Sequence, residues 1–89
     1  MATHKLKILP ENYIPVASGN KAFEVRFNDR NYQRGDKLIL QEWNGTEYTN
    51  KEIHCTVTYI FLGGKYGLDT GYCILGIRII DITKKQNAN

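Results

Sequence analysis

The chain has 89 residues, a length that fits one domain built around one modest hydrophobic core. Hydrophobic residues make up 42% of the chain and charged residues 24%, a balance typical of globular proteins that excludes intrinsic disorder. The formal net charge of +3 is mildly basic and excludes a histone-like or polybasic protein.

The sequence also predicts a protein without membrane or secretory signals. No run of about 18 apolar residues is present, and no apolar signal-peptide core follows the polar N-terminus. Cys55 and Cys73 are the two cysteines, and both lie in apolar stretches, so we expect buried thiols in a reducing compartment. A cytoplasmic location is therefore expected.

A strand and a short helix are predicted first along the chain. Residues 5–8 alternate polar and apolar side chains, the period of a half-buried strand. Pro10 is typical of a helix start and Gly19 of a helix stop, which places the helix at about residues 11–18. Pro15 removes one backbone hydrogen bond inside this segment, so its first turn is expected to be irregular.

Four more strands are predicted, at residues 22–27, 37–43, 52–61 and 72–82. Residues 28–36 lack aliphatic side chains and are interpreted as a loop. Asn44 and Gly45 are typical of a two-residue hairpin turn. We expect a single domain over residues 1–82 and a polar, disordered tail over residues 83–89.

Together these elements predict a mainly β fold with one short helix. Strands and helices do not alternate in the way that builds parallel βαβ units, and closing five strands into a barrel would remove exposed edges. Phe27 and Trp43 are expected to cap the core. The predicted core consists of Leu6, Ile8, Val16, Phe23, Val25, Leu38, Leu40, Cys55, Val57, Tyr59, Leu75 and Ile77.

The stretch that carries the most chemical information is Gly19-Asn20-Lys21-Ala22-Phe23-Glu24-Val25-Arg26. Glu24 and Arg26 share one strand face at roughly 7 Å, so they can pair with each other or bind one ligand together. One interpretation is a solvated surface ion pair, which is common and contributes little. The other is a polar cleft where the helix ends and the strand begins.

This stretch resembles the G-x-K-x-x-E-x-R signature of the ASCH (activating signal cointegrator homology) domains, within the PUA-like superfamily. Residues 5–10, 28–36, 57–60 and 71–75 are similar to a small bacterial and phage branch, so the resemblance covers about residues 5–79. It implies a PUA-like β-barrel whose cleft is lined by Lys21, Glu24 and Arg26. For ASCH domains it implies binding of RNA or a nucleotide-like ligand.

The residue types agree with such a ligand. Arginine can bind phosphate or a base edge with two parallel hydrogen bonds, and tyrosine can stack on an unpaired base. Tyr32 is left open between stacking and packing, whereas the alternation places Tyr59 in the core. The predicted ligand-binding residues are Gly19, Lys21, Glu24, Arg26, Arg30 and Tyr32.

Two alternative functions are kept. Some ASCH proteins are amidohydrolases that act on an acylated cytidine, and Lys21 matches their lysine. Their threonine is replaced by Glu24 here, which removes the expected hydroxyl. The other alternative is a protein-interaction module that uses the apolar stretch at residues 72–82.

No metal site or cofactor is predicted. His54 and Cys55 are neighbours on one strand, so their side chains point to opposite faces and do not suit one metal ion. His4 lies near the N-terminus and is expected to be solvated.

Overall fold

The computed structural model describes residues 1–85, and it is mainly β with one short helix, as predicted. The elements are β1 (Thr3–Ile8), α1 (Pro10–Ala17), β2 (Phe23–Phe27), β3 (Lys37–Trp43), β4 (Tyr48–Leu62) and β5 (Tyr72–Lys84). β5 runs past the predicted domain end into the expected tail, of which residues 86–89 lie outside the described residues. Over residues 1–85, the one helix is too short and too polar to cross a bilayer.

The five strands form one curled sheet in the order β1-β3-β4-β5-β2. β1 and β3 are parallel, whereas all other neighbouring strands are antiparallel. Because the sequence lacks βαβ alternation, it offers no reason to expect this parallel pair. β1 and β2 are the two edges, and no ladder joins them within residues 1–85. The sheet is therefore a half-barrel with a gap between β1 and β2.

The β3–β4 hairpin is confirmed, but its loop is longer than the predicted two residues. Trp43 pairs with Tyr48, so residues 44–47 form the turn. The Asn44 side-chain oxygen accepts hydrogen bonds from the backbone N–H groups of Thr46 (2.9 Å) and Glu47 (3.0 Å). The asparagine thus fixes a four-residue loop.

The inner face of the half-barrel holds the core. Of the predicted core residues, nine are buried: Leu6, Ile8, Val16, Leu38, Leu40, Cys55, Val57, Leu75 and Ile77. The core also contains Tyr13, Tyr32, Ile53 and Cys73, which the predicted core did not include. Both cysteines are buried free thiols, as expected. Trp43 is half-buried beneath the Lys7 amine, which lies 4.4 Å from the ring centre.

The predicted orientation of β2 is wrong. Phe23, Val25 and Phe27 are 42%, 46% and 55% exposed on the outer face, whereas Glu24 is 4% exposed on the inner face. Alternation divides the side chains of a strand into two sets, but it does not determine which set faces the core. Here the inner set lines the gap of the half-barrel, where a charged group can be buried because cations neutralise it.

Tyr59 is also outside the core, contrary to the prediction, with 62% of its surface exposed. The register between β4 and β5 shifts between Val57 and Tyr59, so the strand carries one extra residue there. Such a bulge reverses the alternation beyond it. Gly76 on β5 lies opposite Tyr59. The strands are close at this bulge, since a Cβ on Gly76 would lie only 3.0 Å from the Thr58 hydroxyl.

Candidate functional site

The gap between the two edge strands forms an open cleft of about 420 Å³. Leu9 and Asn12 bring the start of α1 into the wall of the cleft. The lining residues are Lys7, Ile8, Leu9, Asn12, Lys21, Glu24, Val25, Arg26 and Phe27. Three of the predicted ligand-binding residues, Lys21, Glu24 and Arg26, are therefore brought together.

Gly19 positions this cleft without lining it. Its φ of +84° ends α1 in the left-handed region that glycine adopts readily. The backbone N–H of Lys21 then donates to the Pro15 carbonyl at 3.0 Å, which turns the chain back toward β2. Gly19 is thus a helix stop, and its predicted role as a ligand contact is not supported by its position.

Glu24 is the buried centre of the site. Its Oε2 atom accepts a hydrogen bond from Arg26 Nε at 3.0 Å and lies 2.9 Å from Arg26 Nη2. Its Oε1 atom lies 3.4 Å from Lys21 Nζ. One buried carboxylate between two cations is a compensated charge, and it fixes both cations in place. The Glu24–Arg26 pair is therefore a buried cleft pair and not a solvated surface pair.

Arg26 spans the gap in the half-barrel. Its Nη2 atom donates to the backbone carbonyl oxygen of Lys7 on β1 at 2.7 Å. This single side chain thus links the two edge strands that no ladder joins. The contacts of Arg26 within residues 1–85 use Nε and Nη2, so the two N–H groups of Nη1 are left for a ligand.

Lys21 is held by a residue that the sequence analysis missed. Its Nζ atom donates to the Asn12 side-chain oxygen at 3.0 Å and lies 5.3 Å from the Phe23 ring centre. Asn12 precedes the buried Tyr13 on α1, so it lies beside the core-facing stripe of the helix and reaches the cleft. The only sequence signal was a polar residue next to an apolar stripe, which by itself identifies no site.

Two predicted ligand residues lie outside the cleft. Tyr32 is 3% exposed and packs edge-on against the His4 ring at 4.9 Å between ring centres. Burial raises the pKa of its hydroxyl, and the ring presents no free face for stacking. Arg30 is exposed on the loop between β2 and β3 and does not line the cleft.

His4 is buried, contrary to the expectation of a solvated side chain. Its Nε2 atom lies 2.9 Å from Asp36 Oδ2, and the backbone N–H groups of Ala2 and Gln33 also donate to Asp36. Burial alone would raise the pKa of Asp36, but these hydrogen bonds outweigh it and lower that pKa. The cluster connects the N-terminus to the loop before β3 and lies apart from the cleft.

Within residues 1–85, the cleft offers lysine amines and a carboxylate but no hydroxyl or thiol nucleophile. Cys55 is buried in the core, where burial and the charge of Glu24 raise the pKa of its thiol to about 12. Residues 1–85 also hold no group of three or more histidine, cysteine or acidic side chains arranged for a metal ion.

Comparison with known proteins finds one family model that covers most of the chain. Residues 3–77 match the protein family described as "Domain of unknown function (DUF3850)". The chain is also similar to the "Uncharacterized 12.9 kDa protein in GpA 3'region" of Escherichia phage P2, with 38% identity over 55 residues. The aligned segment covers 62% of this chain and 50% of the phage protein, so it spans half the length of that relative.

Proposed function

Because the chain belongs to the DUF3850 family, whose function is unknown, we propose a function from the cleft itself. The proposed function is binding of RNA or a nucleotide-like ligand between β1 and β2, without catalysis. The resemblance of the Gly19–Arg26 stretch to the ASCH signature supports this ligand class, and membership of the PUA-like superfamily stays a prediction.

The observation that carries the proposal is the arrangement of two cations on one buried carboxylate. Glu24 holds Arg26 and Lys21 in fixed positions within the opening, and Arg26 is further fixed by the Lys7 carbonyl. Arginine and lysine held in this way are suited to phosphate and to base edges. A preorganised site loses little conformational entropy when it binds.

The size and chemistry of the cleft agree with a nucleotide. Its volume of about 420 Å³ lies within the range of about 300–1,000 Å³ typical of small-molecule sites. Asn12 adds a side-chain amide next to the cations, and such an amide can bind polar groups of a base. Apolar walls come from Ile8, Leu9 and Val25.

Calorimetric titration with the four ribonucleoside 5′-monophosphates tests the proposal. Arg26→Ala should weaken binding about tenfold or more, because charge-assisted hydrogen bonds contribute roughly 1.5–3 kcal/mol each. Arg30→Ala is the matched control, since it removes an arginine that lies outside the cleft. Equal losses in the two variants, or no binding of any nucleotide by the native protein, would contradict the proposal.

Incubation of the native protein with N4-acetylcytidine tests the amidohydrolase alternative. Glu24 occupies the position where those enzymes have threonine, and no hydroxyl lines the cleft in the described residues. We therefore expect no release of cytidine from N4-acetylcytidine during prolonged incubation. Release that disappears in Lys21→Ala would establish the enzyme and overturn the proposed function.

A further inference from the structure

A patch of exposed aromatic side chains covers the outer face of the sheet around β2 and β5. Phe23, Phe27 and Tyr72 are 42%, 55% and 43% exposed, and Tyr59 on β4 is 62% exposed. The strand registers place them together, because Phe23 and Tyr59 both pair with Gly76, and Phe27 pairs with Tyr72. We call Phe23, Val25, Phe27, Tyr59 and Tyr72 the aromatic patch.

The next row of the same face is basic. Lys37, Thr56 and Arg78 are cross-strand partners, and Arg78 lies two residues along β5 from Gly76. Arg34 shares a shallow recess of about 550 Å³ with Arg78, Thr56 and Thr58. We call Arg34, Lys37 and Arg78 the basic row. Within residues 1–85, none of the three forms a salt bridge.

The aromatic patch is continuous with the cleft. Val25 and Phe27 line the cleft from the β2 edge, and Lys21 lies over the Phe23 ring. One path therefore runs from Arg26, around the edge of β2, across the aromatic patch to the basic row. Cations at both ends of an aromatic surface match a polymer with a negative backbone and planar bases.

We propose that the ligand is a single-stranded nucleic acid rather than a free nucleotide. One nucleotide occupies the cleft, neighbouring bases stack on Phe27, Phe23 and Tyr59, and the backbone reaches the basic row. This inference rests on the proposed function for the cleft and adds a second binding surface that extends well beyond the signature stretch.

The charge beside the aromatic patch favours this partner over a second copy of the chain, because the basic row attracts a polyanion whereas a second copy carries the same net charge of +3. With roughly 200 Å² for each aromatic side chain, the exposed fractions correspond to about 400 Å². A standard protein interface takes about 800 Å² from each partner, and a little over half of it is apolar, so area alone does not separate the two partners. Stacking needs only ring faces, and each base–aromatic contact is worth about 5-fold or more in affinity.

The test compares a fluorescein-labelled uridine decanucleotide, the matching thymidine decanucleotide and uridine monophosphate, with affinities from anisotropy and calorimetry. Tyr59→Leu and Phe27→Leu retain apolar surface but remove the ring. Each should weaken decanucleotide binding about 5-fold or more. Tyr59→Leu should leave monophosphate binding unchanged, whereas Phe27→Leu should weaken it as well, because Phe27 also lines the cleft. Tyr48→Leu is the matched control, because this 47% exposed ring lies on the β3–β4 hairpin, away from the patch.

The outcomes separate the inference from the proposed function. If the monophosphate binds and the decanucleotides bind no more tightly, or the two leucine variants bind them normally, the inference fails and the cleft proposal stands. If both leucine variants weaken decanucleotide binding but Arg26→Ala does not, the stacking surface stands and the cleft proposal fails. A native dimer that Tyr59→Asp converts to monomer in sedimentation would assign the patch to self-association and overturn the inference.

Discussion

At the scale of single residues, Glu24 decides the character of the cleft. A carboxylate with 4% exposure is costly unless its charge is compensated, and Arg26 and Lys21 supply that compensation. The same contacts fix the orientation of the arginine toward the opening. Glu24 therefore acts on a ligand mainly through Arg26.

This arrangement predicts an order of effects among substitutions in the cleft. Glu24→Gln should weaken nucleotide binding less than Arg26→Ala, because the amide retains one acceptor for Arg26. Arg26→Lys should not restore affinity, since one amine cannot reproduce the contacts of Nε and Nη2 to Glu24 and Lys7. Calorimetry on variants whose circular dichroism spectra match the native protein checks this order. An Arg26→Lys variant that binds nucleotides with native affinity would contradict it.

A second residue-scale prediction concerns Asp36 and stability. Asp36 accepts hydrogen bonds from His4 and two backbone N–H groups, so Asp36→Asn should lower the free energy of unfolding by about 1–3 kcal/mol at pH 7. Its folded-state pKa is lowered, so this contribution is complete above the unfolded pKa of about 3.9. It is lost as the pH falls through the lower folded pKa.

Urea unfolding of both proteins at pH 7 and below pH 3 measures this effect. The stability difference between the native protein and Asp36→Asn should shrink in acid. Asp81→Asn is the control, because Asp81 is exposed and bonds to the adjacent Ile82 N–H; its effect should stay within about 0.5 kcal/mol. A difference for Asp36→Asn that is the same at both pH values would refute the linkage.

At the scale of elements, the sequence predicts how many strands there are, their order along the chain and the position of α1. These follow from local alternation and from Pro10 and Gly19, which act through backbone geometry alone. The inward direction of β2 and the exposure of Tyr59 could not be predicted, because the first depends on ion pairs that Glu24 forms inside the gap and the second on a bulge. Asn12 was missed because its role depends on the turn after α1, which brings Lys21 back to the start of the helix.

The turn between β4 and β5 gives an element-scale prediction. A Cβ on Gly63 would overlap the carbonyl oxygen of Asp69, which itself accepts from the Tyr72 N–H at 3.2 Å. Gly63→Ala should therefore destabilise the fold by about 3 kcal/mol, at the upper end of overpacking costs. Lys65→Ala in the same turn is exposed and should change stability by less than about 0.5 kcal/mol. Equal thermal midpoints for the two variants would contradict this account.

At the scale of the whole molecule, cations are concentrated along the cleft and the basic row. If three of them contact phosphates of a single strand, the log–log dependence of affinity on salt should have a slope of about −2. Raising salt from 50 to 200 mM should then weaken decanucleotide binding roughly 20-fold. Anisotropy titrations at four salt concentrations measure the slope, and an affinity independent of salt would indicate an uncharged ligand or a protein partner.

Backbone amide chemical shifts of the ¹⁵N-labelled protein, followed during titration with the four nucleoside monophosphates and N4-acetylcytidine, test the cleft most directly. The shifts report on all backbone amides at once, so they locate a site in the native protein without any substitution. We predict the largest changes at Asn12 and at residues 21–26, with Lys7 following because Arg26 is bonded to its carbonyl. Changes confined to residues 44–56, with none around Glu24 and Arg26, would contradict the assignment of this cleft as the ligand site.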